Sequence, residues 1–199
     1  MPPAPKPDDP QPAATHGPTA AQPVAEPGTE SRESIIERSL AYRWLLGLAV
    51  GVLVLDQATK SWINAHLPLP SYGPGRALTV IPDFFYIVHV GNTGAAWSMF
   101  SDKSQWLALL AVFTLVAIYF WRHQLGLKQR PIQIAFGLLV GGILGNLIDR
   151  IVYGHVIDFL DFHFGSYIYP SFNLADSAIC VGVFLYLITS LRQPAAPPA

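Results

Sequence analysis

Residues 131–150 read PIQIAFGLLVGGILGNLIDR: eighteen residues without a charge, closed by Asp149 and Arg150. At 1.5 Å per helical residue, that run reaches about 27 Å, close to the ~30 Å of hydrocarbon in a bilayer. The segment therefore reads as a membrane span. Gly137, Gly141 and Gly145 recur every four residues along it, a small-residue ridge that lets another helix pack closely.

Three more apolar segments flank it. The first runs over about 44–67 and is interrupted by Asp56 and Lys60; the second covers 104–121; the last covers 174–191, with Asp176 near its start. Between the first two, Leu78–Ile81 and Phe84–Val90 are rich in β-branched and aromatic residues on either side of Pro82-Asp83. That texture predicts a short antiparallel β piece at about 78–92, outside the membrane. The expected fold class is an all-α membrane protein, with four transmembrane helices and a small extracytoplasmic β piece between helices 1 and 2. The expected organisation is a disordered, Pro-rich cytoplasmic tail over 1–36, a membrane domain over 37–193 with its third span at about 131–150, and a short tail over 194–199.

Composition agrees with this reading. Of 199 residues, 51% are hydrophobic and 13% charged, against the roughly 25% charged that soluble domains carry. Every Glu lies at or before Glu37, and the later acids are Asp56, Asp83, Asp102, Asp149, Asp158, Asp161 and Asp176. The single Cys180 excludes an intramolecular disulfide framework and reads as a small buried core residue. No basic patch with interleaved aromatics points to nucleic acid. Arg32, Arg38, Arg43, Arg122, Lys128, Arg130 and Arg192 gather on one side of the spans, which predicts that both termini are cytoplasmic.

Helix rise turns positions into depths. Asp56 stands about 18 Å from the inner surface, Asp176 about 22 Å and Asp149 about 27 Å, and Asp158 and Asp161 follow the third span on the same outer side. Ionisable groups at such depth are functional candidates by default. Asp56 and Lys60 stand at the i, i+4 spacing of a helical ion pair, and Asp149-Arg150 reads equally as an interfacial marker with a local counter-charge. Asp158 and Asp176 have no basic neighbour in sequence. Two such acids at one depth suit a shared-proton dyad; proton-coupled transport uses the same aspartates as an alternative. His155 and His163 flank Asp158 and Asp161 in an outer loop, a weak metal pattern read here as interfacial anchoring.

The motifs together resemble lipoprotein signal peptidase (signal peptidase II), a four-span bacterial membrane aspartic protease. The carrying stretches are Asp56-Gln57-Ala58-Thr59-Lys60, Asn92-Thr93-Gly94-Ala95-Ala96-Trp97, Gly145-Asn146-Leu147-Ile148-Asp149-Arg150, Val156-Ile157-Asp158-Phe159 and Phe172-Asn173-Leu174-Ala175-Asp176. The resemblance covers about residues 40–192. It implies that Asp158 and Asp176 are the catalytic pair, that Asn92, Asn146, Arg150 and Asn173 bind substrate or support the dyad, and that Asp56, Lys60 and Asp149 are structural support. It further implies a diacylglyceryl-modified prolipoprotein as substrate, cut before its lipidated cysteine, with membrane lipid as a partner and globomycin as inhibitor. No metal and no cofactor are implied, and the location would be the bacterial inner membrane. Two features depart from the family pattern: the long tail, and the enlarged loop PLPSYGPGR at 68–76.

Overall fold

The computed structural model describes residues 40–72, 76–94, 99–100 and 102–192. The chain divides into Met1–Glu37 and Arg38–Ala199, and every described residue belongs to the second unit. The tails expected at 1–36 and 194–199 lie outside the described residues, as do Ala95, Ala96 and Trp97 of the second motif.

Four long helices are present among the described residues: α1 (Arg43–His66), α2 (Ser104–Phe120), α3 (Arg130–Val152) and α4 (Leu174–Leu191). Their local signals are ordinary ones. Pro131 sits in the first turn of α3, where its missing N–H removes nothing the helix needs. Asn173 caps α4, its side chain accepting from the Asp176 N–H while the Asp176 side chain accepts from the Asn173 N–H. Helices α1, α3 and α4 are long and apolar enough to cross a membrane. Helix α2, at 17 residues, is shorter and reaches about 25 Å.

Helix α3 is the hub, packed on α1 along one side and α4 along another. Its glycine ridge makes this possible. A Cβ on Gly141 would stand 2.7 Å from the Ala49 carbonyl oxygen of α1, and one on Gly137 would stand 3.0 Å from that of Leu45. At Gly145 the neighbour is the Asp56 carboxylate itself. Leu46, Val50 and Val54 of α1, Phe113 and Phe120 of α2, and Phe184 and Leu187 of α4 are exposed, the apolar exterior that lipid covers.

The small antiparallel sheet is present, but it extends beyond the segment between helices 1 and 2 where it was expected. Strands β1 (Leu78–Ile81) and β2 (Phe85–Asn92) form where the β texture predicts them, but β3 (Val156–Phe164) and β4 (Tyr167–Ile168) come from the segment between α3 and α4. The four run antiparallel in the order β1-β2-β3-β4. By itself the stretch from His155 to His163 reads as an outer loop, since Asp158, Asp161 and His163 interrupt its apolar residues. Pairing to β2 overrides that local signal: Asn92 faces Val156, Val90 faces Asp158, and Phe85 faces Phe162, with the last two rings stacked at 4.5 Å. An irregularity between Ile87 and Val90 sits opposite the stretch from Leu160 to Asp158, the kind of bulge that re-aims side chains beside sites. Ile63 of α1 and Leu67, the residue that ends it, pack with Ile157 and Phe159 of β3, seating the sheet on the end of the bundle.

Candidate active site

Asp158 stands on β3, almost fully buried, and both its oxygens are held. Asn92 Nδ2 donates to Oδ2 at 2.9 Å, and Asn173 Nδ2 donates to Oδ1 at 2.8 Å. Neither amide is free to turn over. Asn92 Oδ1 accepts from the Gly94 N–H at 2.9 Å, and Asn173 Oδ1 accepts from the Asp176 N–H at 2.9 Å, so each must present its NH2 to Asp158. Burial, and then the negative charge of Asp176, push the Asp158 carboxyl up to about 7, against the hydrogen bonds from Asn92 and Asn173 and the charge of Lys60.

Asp176 occupies the third position of α4, where a carboxylate suits the positive end of the helix. Its Oδ2 accepts from the Asn173 N–H at 3.2 Å, and its Oδ1 from Asn146 Nδ2 at 2.7 Å. Phe172, one residue before the cap, exchanges backbone hydrogen bonds with Leu160 of β3. That bridge brings the start of α4 against the strand carrying Asp158.

Beneath the two carboxylates lies a charged cluster with almost no solvent exposure. Lys60 Nζ stands 2.8 Å from Asp56 Oδ2, 2.8 Å from Asp149 Oδ2 and 2.9 Å from Asn146 Oδ1. Gln57 Nε2 donates to Asp149 Oδ1 at 2.9 Å and to the Gly145 carbonyl at 3.2 Å. The i, i+4 pair is therefore real, but Lys60 is shared with a second helix. Asp149 is not the interfacial marker that its neighbour Arg150 suggested: it is fully buried and its cation is Lys60. Local order pairs Asp149 with Arg150, yet adjacent residues on a helix point about 100° apart. Arg150 instead donates to the Asn146 carbonyl at 3.3 Å and the Gly94 carbonyl at 3.2 Å.

A cavity of about 440 Å³ opens over Asp158 and Asp176, with Asn92, Asn146 and Arg150 on its polar wall and Phe172, Ile179 and Cys180 among its apolar lining. Cys180 is exposed, not the buried core residue its apolar surroundings suggested. Hydropathy reads lipid-facing and core positions of a membrane helix alike. The remaining outer acid turns elsewhere: Asp161 Oδ2 bonds His163 Nε2 at 2.8 Å and Oδ1 accepts from Ser171 Oγ at 3.2 Å. His155 lies away from that pair, its ring over Gly91 and near Tyr153. Asn92, Asn146, Arg150, Asn173, Asp158 and Asp176 are thus brought together, with Asp56, Lys60 and Asp149 behind them. Gln57 was missed as a member of the buried network, although it lies inside the first motif.

The family model described as signal peptidase (SPase) II matches residues 48–192. The chain belongs to the signal peptidase II family. It is 39% identical over 165 residues to the lipoprotein signal peptidase of Yersinia enterocolitica, covering 81% of this chain and 94% of that one. It is 41% identical over 160 residues to that of Yersinia pestis strain Pestoides F, covering 78% and 90%. A solved bacterial membrane enzyme, determined by the in meso method at 2.3 Å, matches with a TM-score of 0.65 at 33% identity, over 78% of this chain and 94% of that one. A second, at 1.9 Å, gives 0.64 at 34% identity over 75% and 94%. The matched residues, 48–192, include Asp158, Asp176 and the other residues named above at the cavity and in the Lys60 cluster.

Proposed function

We propose that this signal peptidase II is an aspartic endopeptidase that removes the signal peptide from diacylglyceryl-modified prolipoproteins, cutting before the lipidated cysteine. The observation that carries the reading is the pair of buried carboxylates, Asp158 and Asp176, beside one cavity and fixed by three asparagine amides. Two carboxyls on one cavity, the charge of one raising the pKa of the other, share one proton, because both cannot ionise cheaply. The ionised member takes a proton from water as the oxygen attacks the peptide carbonyl, and the protonated member gives its proton to the carbonyl oxygen. The tetrahedral intermediate then collapses. The C–N bond breaks, the proton taken from water passes to the departing amine of the lipidated cysteine, and a hydroxyl proton of the intermediate returns to the other aspartate as the new carboxyl group forms. Asn92, Asn146 and Asn173 hold the carboxylate oxygens in place, and Arg150 offers a cation to the cavity wall.

The same reading includes a location. In this reading four helices span the bacterial inner membrane, α2 included, with both termini cytoplasmic. The ends of α1 and α3 that carry Arg43 and Arg130, where Arg130 lies 4.5 Å over the Trp44 ring, face inward. The sheet and the dyad then sit at the outer interface, where a lipid anchor places the bond before its cysteine. The acyl chains leave toward lipid past the apolar side of the cavity, at Ile179 and Cys180. Proton-coupled transport gains nothing from this arrangement, since the dyad and the Lys60 cluster stand at one end of the bundle instead of tracing a path across it.

The test is cleavage of a diacylglyceryl-modified prolipoprotein in membranes carrying the wild type, Asp158→Asn or Asp176→Asn at matched expression. Both variants should lose at least a thousandfold in rate while remaining inserted, and globomycin should block the wild type. Normal turnover by either variant removes that residue from the mechanism, and an inactive wild type on several modified substrates removes the reading.

A further inference from the structure

Two backbone N–H groups beside the dyad are held by buried carboxylates. Asp56 Oδ1 accepts from the Ala175 N–H at 3.0 Å, and Asp149 Oδ2 accepts from the Ile157 N–H at 3.2 Å. Ala175 immediately precedes Asp176, and Ile157 immediately precedes Asp158. The first is a donor in the opening turn of a helix, where the backbone offers it no partner. Lys60 then ties the two carboxylates together at 2.8 Å each and fixes Asn146 by its oxygen at 2.9 Å, so that the same amide must offer its NH2 to Asp176.

From this geometry we infer that Lys60 is a positioning residue for the cleavage reaction: through Asp56, Asp149 and Asn146 it sets the separation and orientation of the two segments that carry the catalytic aspartates. The inference rests on Asp158 and Asp176 being the catalytic pair. It assigns the cluster a task beyond holding helices together. A neutral support would need neither the lysine's three short contacts to two helices nor a carboxylate on each residue preceding a dyad aspartate. Gly145 belongs to the same device, because any Cβ there would enter the space of the Asp56 carboxylate.

The decisive variant removes every charge of the cluster, Lys60→Met with Asp56→Asn and Asp149→Asn in the full chain, so that no buried carboxylate is left without its cation. The expected result is a thermal midpoint within a few degrees of wild type, kcat on the modified prolipoprotein lowered at least tenfold, and KM within twofold. A folded triple variant with kcat within twofold of wild type, or one that changes KM alone, overturns the inference. A merely stabilising role would be restored by the charge balance. Amide hydrogen exchange in the wild type supplies a second reading that no folding defect can spoil. The Ala175 and Ile157 amides should exchange at least a hundredfold more slowly than the exposed amides of the Gly165 turn, and rapid exchange at either position defeats the inference. If the wild type shows that protection but cleaves no prolipoprotein, the catalytic reading fails and the anchoring geometry stands.

Discussion

Replacing Asp158 by asparagine should abolish cleavage and yet stabilise the protein at alkaline pH. The carboxyl is pushed up to about 7 by burial and by Asp176, from an ordinary value of 3.8. At about 1.4 kcal/mol for each tenfold, the difference corresponds to about 4 kcal/mol. The sign follows from proton counting. Between pH 4 and 7 the folded state holds a proton that the unfolded chain has released, so wild-type stability falls as pH rises through that window and stays low above it. The asparagine side chain does not titrate, so the variant escapes the fall. It has its own cost: an amide offers one acceptor oxygen where the carboxyl offers two, and both Asn92 and Asn173 point donors at it. One buried donor left unpaired costs roughly 1–3 kcal/mol. The variant should therefore melt below the wild type at pH 4 and above it at pH 8. At roughly 2–4 °C per kcal/mol for a domain of this size, the midpoint difference should swing by about 8–16 °C in all. Scanning fluorimetry of detergent-solubilised protein at pH 4, 6 and 8 measures this directly. A midpoint difference that is the same at pH 4 and pH 8 would refute the reasoning, because it would mean that Asp158 titrates alike in the folded and unfolded chains.

The same proton governs turnover. With Asp158 at about 7, kcat should decline tenfold per pH unit above neutrality as the dyad loses its shared proton, and a pH–rate profile flat to pH 9 would contradict this. Gly141→Ala places a methyl 2.7 Å from the Ala49 carbonyl oxygen and 2.8 Å from the Val52 Cβ. It should cost roughly 1–3 kcal/mol, read as a midpoint several degrees lower, and an unchanged midpoint would mean that α1 and α3 do not meet there. Asp161→Asn keeps the dyad intact and disturbs only the contacts to His163 and Ser171. Cleavage should stay within about threefold of wild type, and a loss as deep as that of Asp158→Asn would move Asp161 into the mechanism.

Much of the site was legible before any coordinates, for reasons that differ from residue to residue. Asp176 shows as an acid at the start of an apolar run, and Asn173 shows only through the motif that it shares with Asp176. Asp56 and Lys60 show the i, i+4 spacing of a helical pair, and the glycine ridge of α3 announces a close helix partner. The cation that Asp149 meets is not legible in sequence, because its neighbour Arg150 is not its partner. Strand β3 was missed, because its two aspartates and histidine look like a polar loop until β2 covers its edge. Cys180 was placed in the core, because an apolar run has the same composition facing lipid as facing protein.

What the amino-acid sequence by itself determined is whatever depends on short spacing: the apolar helices, the β texture at 78–92, and the motifs that mark the family. Tertiary structure alone decided which acids meet. Asp158 and Asp176 come beside one cavity because β3 pairs with β2 and Phe172 bridges to Leu160. Lys60 reaches Asp149 because α1 packs into the groove left by Gly137, Gly141 and Gly145. The physical reason is range. Helix rise and capping are settled within a turn or two, whereas the partner of a buried charge is whichever group the packing of distant segments brings within about 3 Å, and without such a partner the charge would be too costly to bury.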